Sequence, residues 1–147
     1  EVWELLEEKE MGLVGEIPEH VYALVDSEGM KKVFRNFLTN AIRYSPKGAK
    51  LTVCFLENGF SLENEGTSIP EEALPKLFEA FYRVEDSRNR KSGGSGLGLY
   101  IVRMILDAHG AAYGAENTAG GVRFWFRLEE NHTESTQRLP ETPIKTR

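Results

Sequence analysis

The stretch FRNFLTNAIRYS, residues 34–45, decides how the rest of the chain is read. Extended back to Met30, it places Met30, Val33, Phe34, Phe37, Leu38, Ala41 and Ile42 at helical spacing, which makes one apolar stripe. Asn36, Asn40 and Arg43 follow at intervals of four and three, so they project from a common face beside that stripe, with Tyr44 next to it. Asp26 or Ser27 can cap the helix, and Pro46 and Gly48 end it. An asparagine oxygen can hold a hard cation such as Mg2+ without adding negative charge, and an arginine supplies donors for a phosphate. The same residues also suit a plain solvated helix face, so the stretch alone leaves both readings open.

Downstream, KLTVCFL (50–56) and FSLEN (60–64) read as strands joined at Asn58-Gly59, a hairpin signal because both residues tolerate positive φ. Cys54, the one cysteine, is expected as a small core residue. Gly66 breaks the second strand, and a short helix is expected from near Glu71, carrying Leu74, Leu77, Phe78 and Phe81. Residues 84–96 are polar, charged and glycine-rich, as in a long mobile loop. A second long helix runs from Leu97 through Ala108 to a stop at Gly110. AAYGAEN (111–117) and VRFWFRL (122–128) read as strands, the latter with Val122, Phe124 and Phe126 on one face. Upstream, residues 1–10 suit the end of an incoming helix, and LVGEIP (13–18) and HVYALVD (20–26) suit short strands. From Asn131 no apolar periodicity remains, so residues 131–147 read as a disordered tail and residues 1–130 as one domain. Strands and helices in this order fit an α+β fold: a two-layer α/β sandwich whose mixed, largely antiparallel sheet packs against the helices. They do not alternate as a doubly wound parallel sheet requires.

The net charge of −5 provides no global field for nucleic acid or an anionic membrane, so neither is expected as a partner. No run is long and apolar enough to span a membrane, and no signal peptide is visible. The chain opens at Glu1 without an initiator methionine, as expected of a piece of something longer. Gly93-Gly94-Ser95-Gly96-Leu97-Gly98-Leu99 can cradle an anion where a helix begins, or can simply be a flexible loop. It lacks the Gly-Lys-Ser/Thr of a Walker A loop. Asn64 to Pro70 can offer a base edge a hydrogen bond, or can be a plain turn. His109, beside Gly110, suits helix-end packing or capping. His20 and His132 give little support for phosphorylation within the chain.

Taken in order, these segments resemble the catalytic domain of bacterial sensor histidine kinases, in the superfamily shared with type II topoisomerase, mismatch-repair and heat-shock-chaperone ATPases. FRNFLTNAIRYS resembles the N box, LFEAFYR (77–83) the F box, GGSGLGLYIV (93–102) the G2 box and Gly120-Gly121 the last glycine box. The resemblance implies ATP and Mg2+ as cofactors and a mobile ATP lid. It makes Asn40 the metal ligand, with Asn36 assisting, Arg43 on phosphate and Tyr44 against nucleotide or lid. Asn36, Asn40 and Arg43 form the implied catalytic group. Further nucleotide-binding positions are Asn64, Gly66 and Ile69, then Phe81 and Arg83 at the lid base. Arg88, Arg90 and Lys91 come from the lid, and Gly94, Gly96, Leu97, Gly98, Leu99 and Gly121 from the glycine boxes. The G1 box departs from the family: Asn64-x-Gly66-x-Ser68 stands for Asp-x-Gly-x-Gly, so adenine anchoring is expected to be weaker and Ser68 to narrow the pocket floor. The implied partners are a dimerisation domain bearing the phosphoacceptor histidine and a response-regulator receiver domain. The implied setting is the cytoplasmic part of a membrane-anchored sensor. A degenerate nucleotide-binding or docking module is the alternative, with an anti-sigma serine kinase or ATP-hydrolysing relative behind it.

Overall fold

A computed structural model describes residues 2–16, 18, 23, 25–84 and 96–129. Helix α1 (Val2–Glu8) leads into strand β1 (Gly12–Val14), and helix α2 (Ser27–Tyr44) follows. Strands β2 (Lys50–Leu56) and β3 (Gly59–Glu65) form a hairpin; a 3₁₀ turn spans Leu74–Lys76. Helix α3 (Gly98–Ala108) and strands β4 (Ala112–Asn117) and β5 (Gly121–Arg127) complete the order. The five strands lie in the order β1-β2-β3-β5-β4, with β1 parallel to β2 and the remaining pairs antiparallel. The helices cover one face, which is the expected two-layer α+β sandwich.

Alternation sets the inner face. Leu51 and Val53 of β2, Phe60 and Leu62 of β3, and Val122, Phe124 and Phe126 of β5 are buried. The α2 stripe lands on them: Val33, Phe37 and Ala41 have no exposed surface. The Phe34 ring meets Phe60 edge-on with centroids 4.9 Å apart, and Phe37 lies 5.8 Å from Phe124. From α3, Val102 and Leu106 close the core.

Both long helices are tied at one end by His109. Asp26 caps α2, its carboxylate accepting from the Gly29 N–H at 3.1 Å. The Asp26 N–H donates to His109 Nε2 at 3.0 Å, so Nδ1 carries the ring proton and donates to the Ile105 carbonyl at 2.7 Å.

Four expectations change. Cys54 is exposed, because even-numbered residues of β2 face outward once Leu51 and Val53 face in. The helix expected near Glu71 is only a turn and the Leu74–Lys76 3₁₀ segment; Pro75 has no N–H with which to continue a ladder. At the hairpin, Glu57 and Asn58 make the turn without positive φ, and Gly59 opens β3. Gly59 is needed instead for space, since a Cβ there would lie 2.5 Å from the Phe126 carbonyl oxygen. Of LVGEIP only Leu13 and Val14 join a strand. Most of HVYALVD, and all of residues 131–147, fall outside the described residues.

Phe37→Ala should lower unfolding free energy by about 3–5 kcal/mol in denaturant titration, since the cavity is enclosed by α2 and two strands. Tyr113 gives a pH test. Burial, then the hydrogen bond to Asp107 (2.8 Å) and its charge, raise the Tyr113 pKa above its usual 10.0. A phenol whose folded pKa is raised stabilises the fold fully below the unfolded value and loses that contribution as pH climbs through the folded one. Thermal stability should therefore fall above about pH 10, and less steeply in Tyr113→Phe.

Candidate nucleotide site

The polar face of α2 opens onto a cleft of about 410 Å³. Asn36, Thr39, Asn40 and Arg43 form one wall, with Tyr44 at its end; Gly96, Leu97, Gly98, Leu99 and Ile101 form the other. Ile69, Leu77 and Phe124 supply apolar floor, and Tyr82, Arg83 and Val84 the rim. An apolar base with polar groups converging from two helices is the form of a small-molecule site.

The walls meet closely. A Cβ on Gly98 would lie 3.3 Å from Asn36 Oδ1, so the N-terminus of α3 approaches the α2 amide without a side chain between them. Unlike α2, α3 begins with no side-chain cap: Leu97 at that position cannot accept a hydrogen bond. No side chain caps that first turn, whose N–H groups can serve an anion in the cleft that Arg43 also lines.

The residues flanking the 82–95 segment are joined by backbone. The Phe81 N–H donates to the Gly96 carbonyl at 2.9 Å, joining the two ends of the 82–95 segment. Gly96 has φ +74°, and a Cβ there would lie 2.9 Å from the Phe81 backbone, so a side chain is excluded. Phe81 itself has φ 64°, which turns its ring outward, 73% exposed. The expected binding residue Phe81 therefore stands outside the cleft and its neighbour Tyr82 lines it.

Asn64 is 1% exposed on the inner face of β3 and does not line the cleft; its Oδ1 has no hydrogen-bond partner among the described residues. An unpaired buried acceptor costs about 1–3 kcal/mol, which a ligand N–H reaching it would offset. Gly66 and Gly121 do not line the cleft. Gly66 is held by its N–H to the Gly120 carbonyl at 3.1 Å. Gly121 is where β5 passes β3 too tightly for a side chain: a Cβ would fall 1.8 Å from the Asn64 carbonyl oxygen. Ser68 is exposed and does not narrow the floor. Arg88, Arg90, Lys91 and Gly94 lie outside the described residues.

Sequence reasoning missed Thr39, Leu77, Tyr82, Val84, Ile101 and Phe124 at the cleft. Thr39 had a signal, three residues from Asn36 on the same helix face; its hydroxyl donates to the Arg35 carbonyl at 2.9 Å. It also missed Asn117, whose amide clamps the floor: Oδ1 accepts from the Ile69 N–H at 2.8 Å and Nδ2 donates to the Ile69 carbonyl at 2.7 Å. Among the described residues no three of His, Cys, Asp and Glu gather as a metal site. Among the described side chains at the cleft, the amide oxygens of Asn36 and Asn40 and the hydroxyls of Thr39, Tyr44 and Tyr82 are the hard donors.

Residues 25–132 match the family of histidine kinase-, DNA gyrase B-, and HSP90-like ATPases. The chain belongs to this family. It is 39% identical over 134 residues to the sensor protein VanSB of Enterococcus faecalis, covering 88% of this chain and 30% of that protein. It is 33% identical to the sensor histidine kinase WalK of Bacillus subtilis, covering 86% and 22%. The catalytic domain of histidine kinase ThkA superposes with a TM-score of 0.65 at 30% identity, over 86% of each chain. The chain thus spans less than a third of the length of each of these two curated relatives. No described helix is long and apolar enough to cross a membrane.

Gly121→Ala should lower stability by about 1–3 kcal/mol through strand clash, read in thermal unfolding. Any nucleotide-binding defect should vanish once the comparison is restricted to folded protein.

Proposed function

We propose that the cleft binds ATP with Mg2+ and that the domain transfers the γ-phosphoryl group to a histidine on a separate dimerisation domain. The observation that carries the reading is the meeting of Asn36, Asn40 and Arg43 with the uncapped N-terminus of α3 across one cleft. Polar groups of α2 and the N-terminal amides of α3 suit a polyphosphate; the apolar floor at Ile69 and Phe124 suits a base. The unpaired Oδ1 of Asn64 suits the adenine amino group, which only donates. Full-length ShkA, which this chain matches with a TM-score of 0.64 at 25% identity over 99% of its length and 29% of that protein's, is described in complex with AMPPNP.

Each residue then has a task. Asn40 offers its amide oxygen to the metal, and Asn36 supports the phosphates from the preceding turn. Arg43 and Arg83 hold phosphate oxygens, joined by Arg88, Arg90 or Lys91. Tyr44 and Tyr82 pack on the nucleotide, while Gly96, Leu97, Gly98 and Leu99 bring backbone N–H groups to it. Bound Mg2+ supplies positive charge that offsets the charge on the phosphate oxygens. The transfer breaks the bond between the β,γ-bridging oxygen and the γ-phosphorus and forms one from phosphorus to an imidazole nitrogen, releasing ADP. An aspartate of a response-regulator receiver domain would accept the group next. The setting is the cytoplasmic part of a membrane-anchored sensor. Asn64 favours a second reading, a docking module with weakened nucleotide affinity, because a neutral amide replaces the family's charged acceptor.

Calorimetric titration with a non-hydrolysable ATP analogue decides between them. Binding should strengthen with Mg2+, and Asn40→Ala should abolish that strengthening, a loss of about tenfold or more. A folded chain that binds no analogue at high concentration leaves the docking module.

A further inference from the structure

The C-terminus of α2 is finished by a residue from another element. A helix leaves its last four carbonyls without intrahelical donors, and a left-handed glycine directly after it is the common remedy. Here Ser45 follows α2 in an extended conformation (φ −88°, ψ 143°). Its hydroxyl donates to the Ala41 carbonyl at 2.6 Å and its N–H to the Ile42 carbonyl at 3.3 Å. Lys9, in the turn after α1, supplies the rest. Its ammonium donates to the carbonyls of Ile42 (2.6 Å), Arg43 (3.0 Å) and Ser45 (2.9 Å). The three N–H donors of an ammonium are thus matched by three carbonyls, and its charge sits at the negative end of the helix dipole.

The turn that presents Lys9 is itself fastened to the far side of the helix end. The Gly48 N–H donates to the Lys9 carbonyl at 2.8 Å, and Glu10, held at φ 54°, pairs with Lys47 at 3.4 Å. Burial, and next the charge of Arg43, lower the Lys9 pKa below its usual 10.5, so Lys9 and Arg43 are electrostatically coupled. One of the residues whose carbonyl Lys9 holds, Arg43, also lines the cleft.

We infer that Lys9 is a positioning residue for the phosphate end of the cleft: by clamping the last turn of α2 it sets where Arg43 enters, and so couples the turn after α1 to nucleotide binding. The inference rests on the reading that Arg43 faces phosphate. The apolar floor of the cleft, at Ile69 and Phe124, is not touched by Lys9 through these bonds. A cap that served stability alone would leave both ends of the site equally good in the folded protein. A positioning residue affects the phosphate end selectively.

The test titrates the 147-residue chain with a non-hydrolysable ATP analogue and, separately, with adenosine. Lys9→Met keeps side-chain length and removes charge and donors; it should weaken the analogue on the order of tenfold and leave adenosine binding unchanged. Lys9→Arg should restore most of the loss. No loss for the analogue, or equal loss for both ligands, overturns the inference. Arg43→Ala separates the two failures. If it leaves the analogue unaffected, the phosphate reading of Arg43 has failed; if it weakens the analogue while Lys9→Met does not, only the role of Lys9 has failed. Should Lys9→Met not fold, the Lys9 ammonium resonance of the unsubstituted chain gives the answer by NMR. It should shift with the analogue and not with adenosine, and no shift with the analogue overturns the inference.

Discussion

The rotation of α2 about its own axis is the constraint on which the cleft depends. The helix carries a stripe that fills the core and a polar face that forms a wall, and the two are one rigid object. Val33, Phe37 and Ala41 are wholly buried, and Phe34 and Phe37 interdigitate with rings from β3 and β5. At 3.6 residues per turn, a one-residue slip would rotate the helix by about 100° and drive Asn36 or Asn40 into hydrocarbon. A buried amide without partners costs more than the aromatic contacts could offset. The position of the polar face is therefore fixed by packing on its other side.

The ends of the helix fix the remaining freedoms. At the N-terminus His109 joins the α2 cap to the last turn of α3, so the elements that form the two cleft walls are tied at the end away from the lid base. At the C-terminus Ser45 and Lys9 close the carbonyls beneath Arg43. Between these ties the walls approach through Asn36 and Gly98, where no side chain intervenes. Such a cleft holds its polar groups in place before any ligand arrives, which reduces the ordering cost of binding.

What could be read from sequence was whatever periodicity controls. The α2 stripe, the inward faces of β2 and β5 and the gathering of Asn36, Asn40 and Arg43 follow from spacing alone. Cys54 was misplaced because residue type was weighed above alternation, although Leu51 and Val53 already assigned the even positions to the outside. The 71–76 helix failed on a local signal too, Pro75, which was outweighed by apolar spacing. Phe81 is a different case. Its exposure follows from a positive φ imposed by pairing with Gly96, and nothing in the segment LFEAFYR announces that bond. Asn117 and Lys9 were equally illegible: each acts on backbone atoms of a residue distant in sequence, and any asparagine or lysine on a surface looks the same in one dimension.

Asn64 joins the two levels. In a fold of this family a carboxylate buried without a partner would carry a large desolvation cost whenever the cleft is empty, whereas a neutral amide left unpaired costs only about 1–3 kcal/mol. The amide also gives less back when a base amino group arrives, because its hydrogen bond is not charge-assisted. On the proposed reading Asn64 exchanges depth of binding for a smaller cost of burial, and its oxygen is buried at 1% exposure with no hydrogen-bond partner among the described residues. On that reading affinity comes more from the other end of the cleft, where Arg43 and the first turn of α3 act on charge. On the proposed reading the phosphates, more than the base, set how tightly the nucleotide is held.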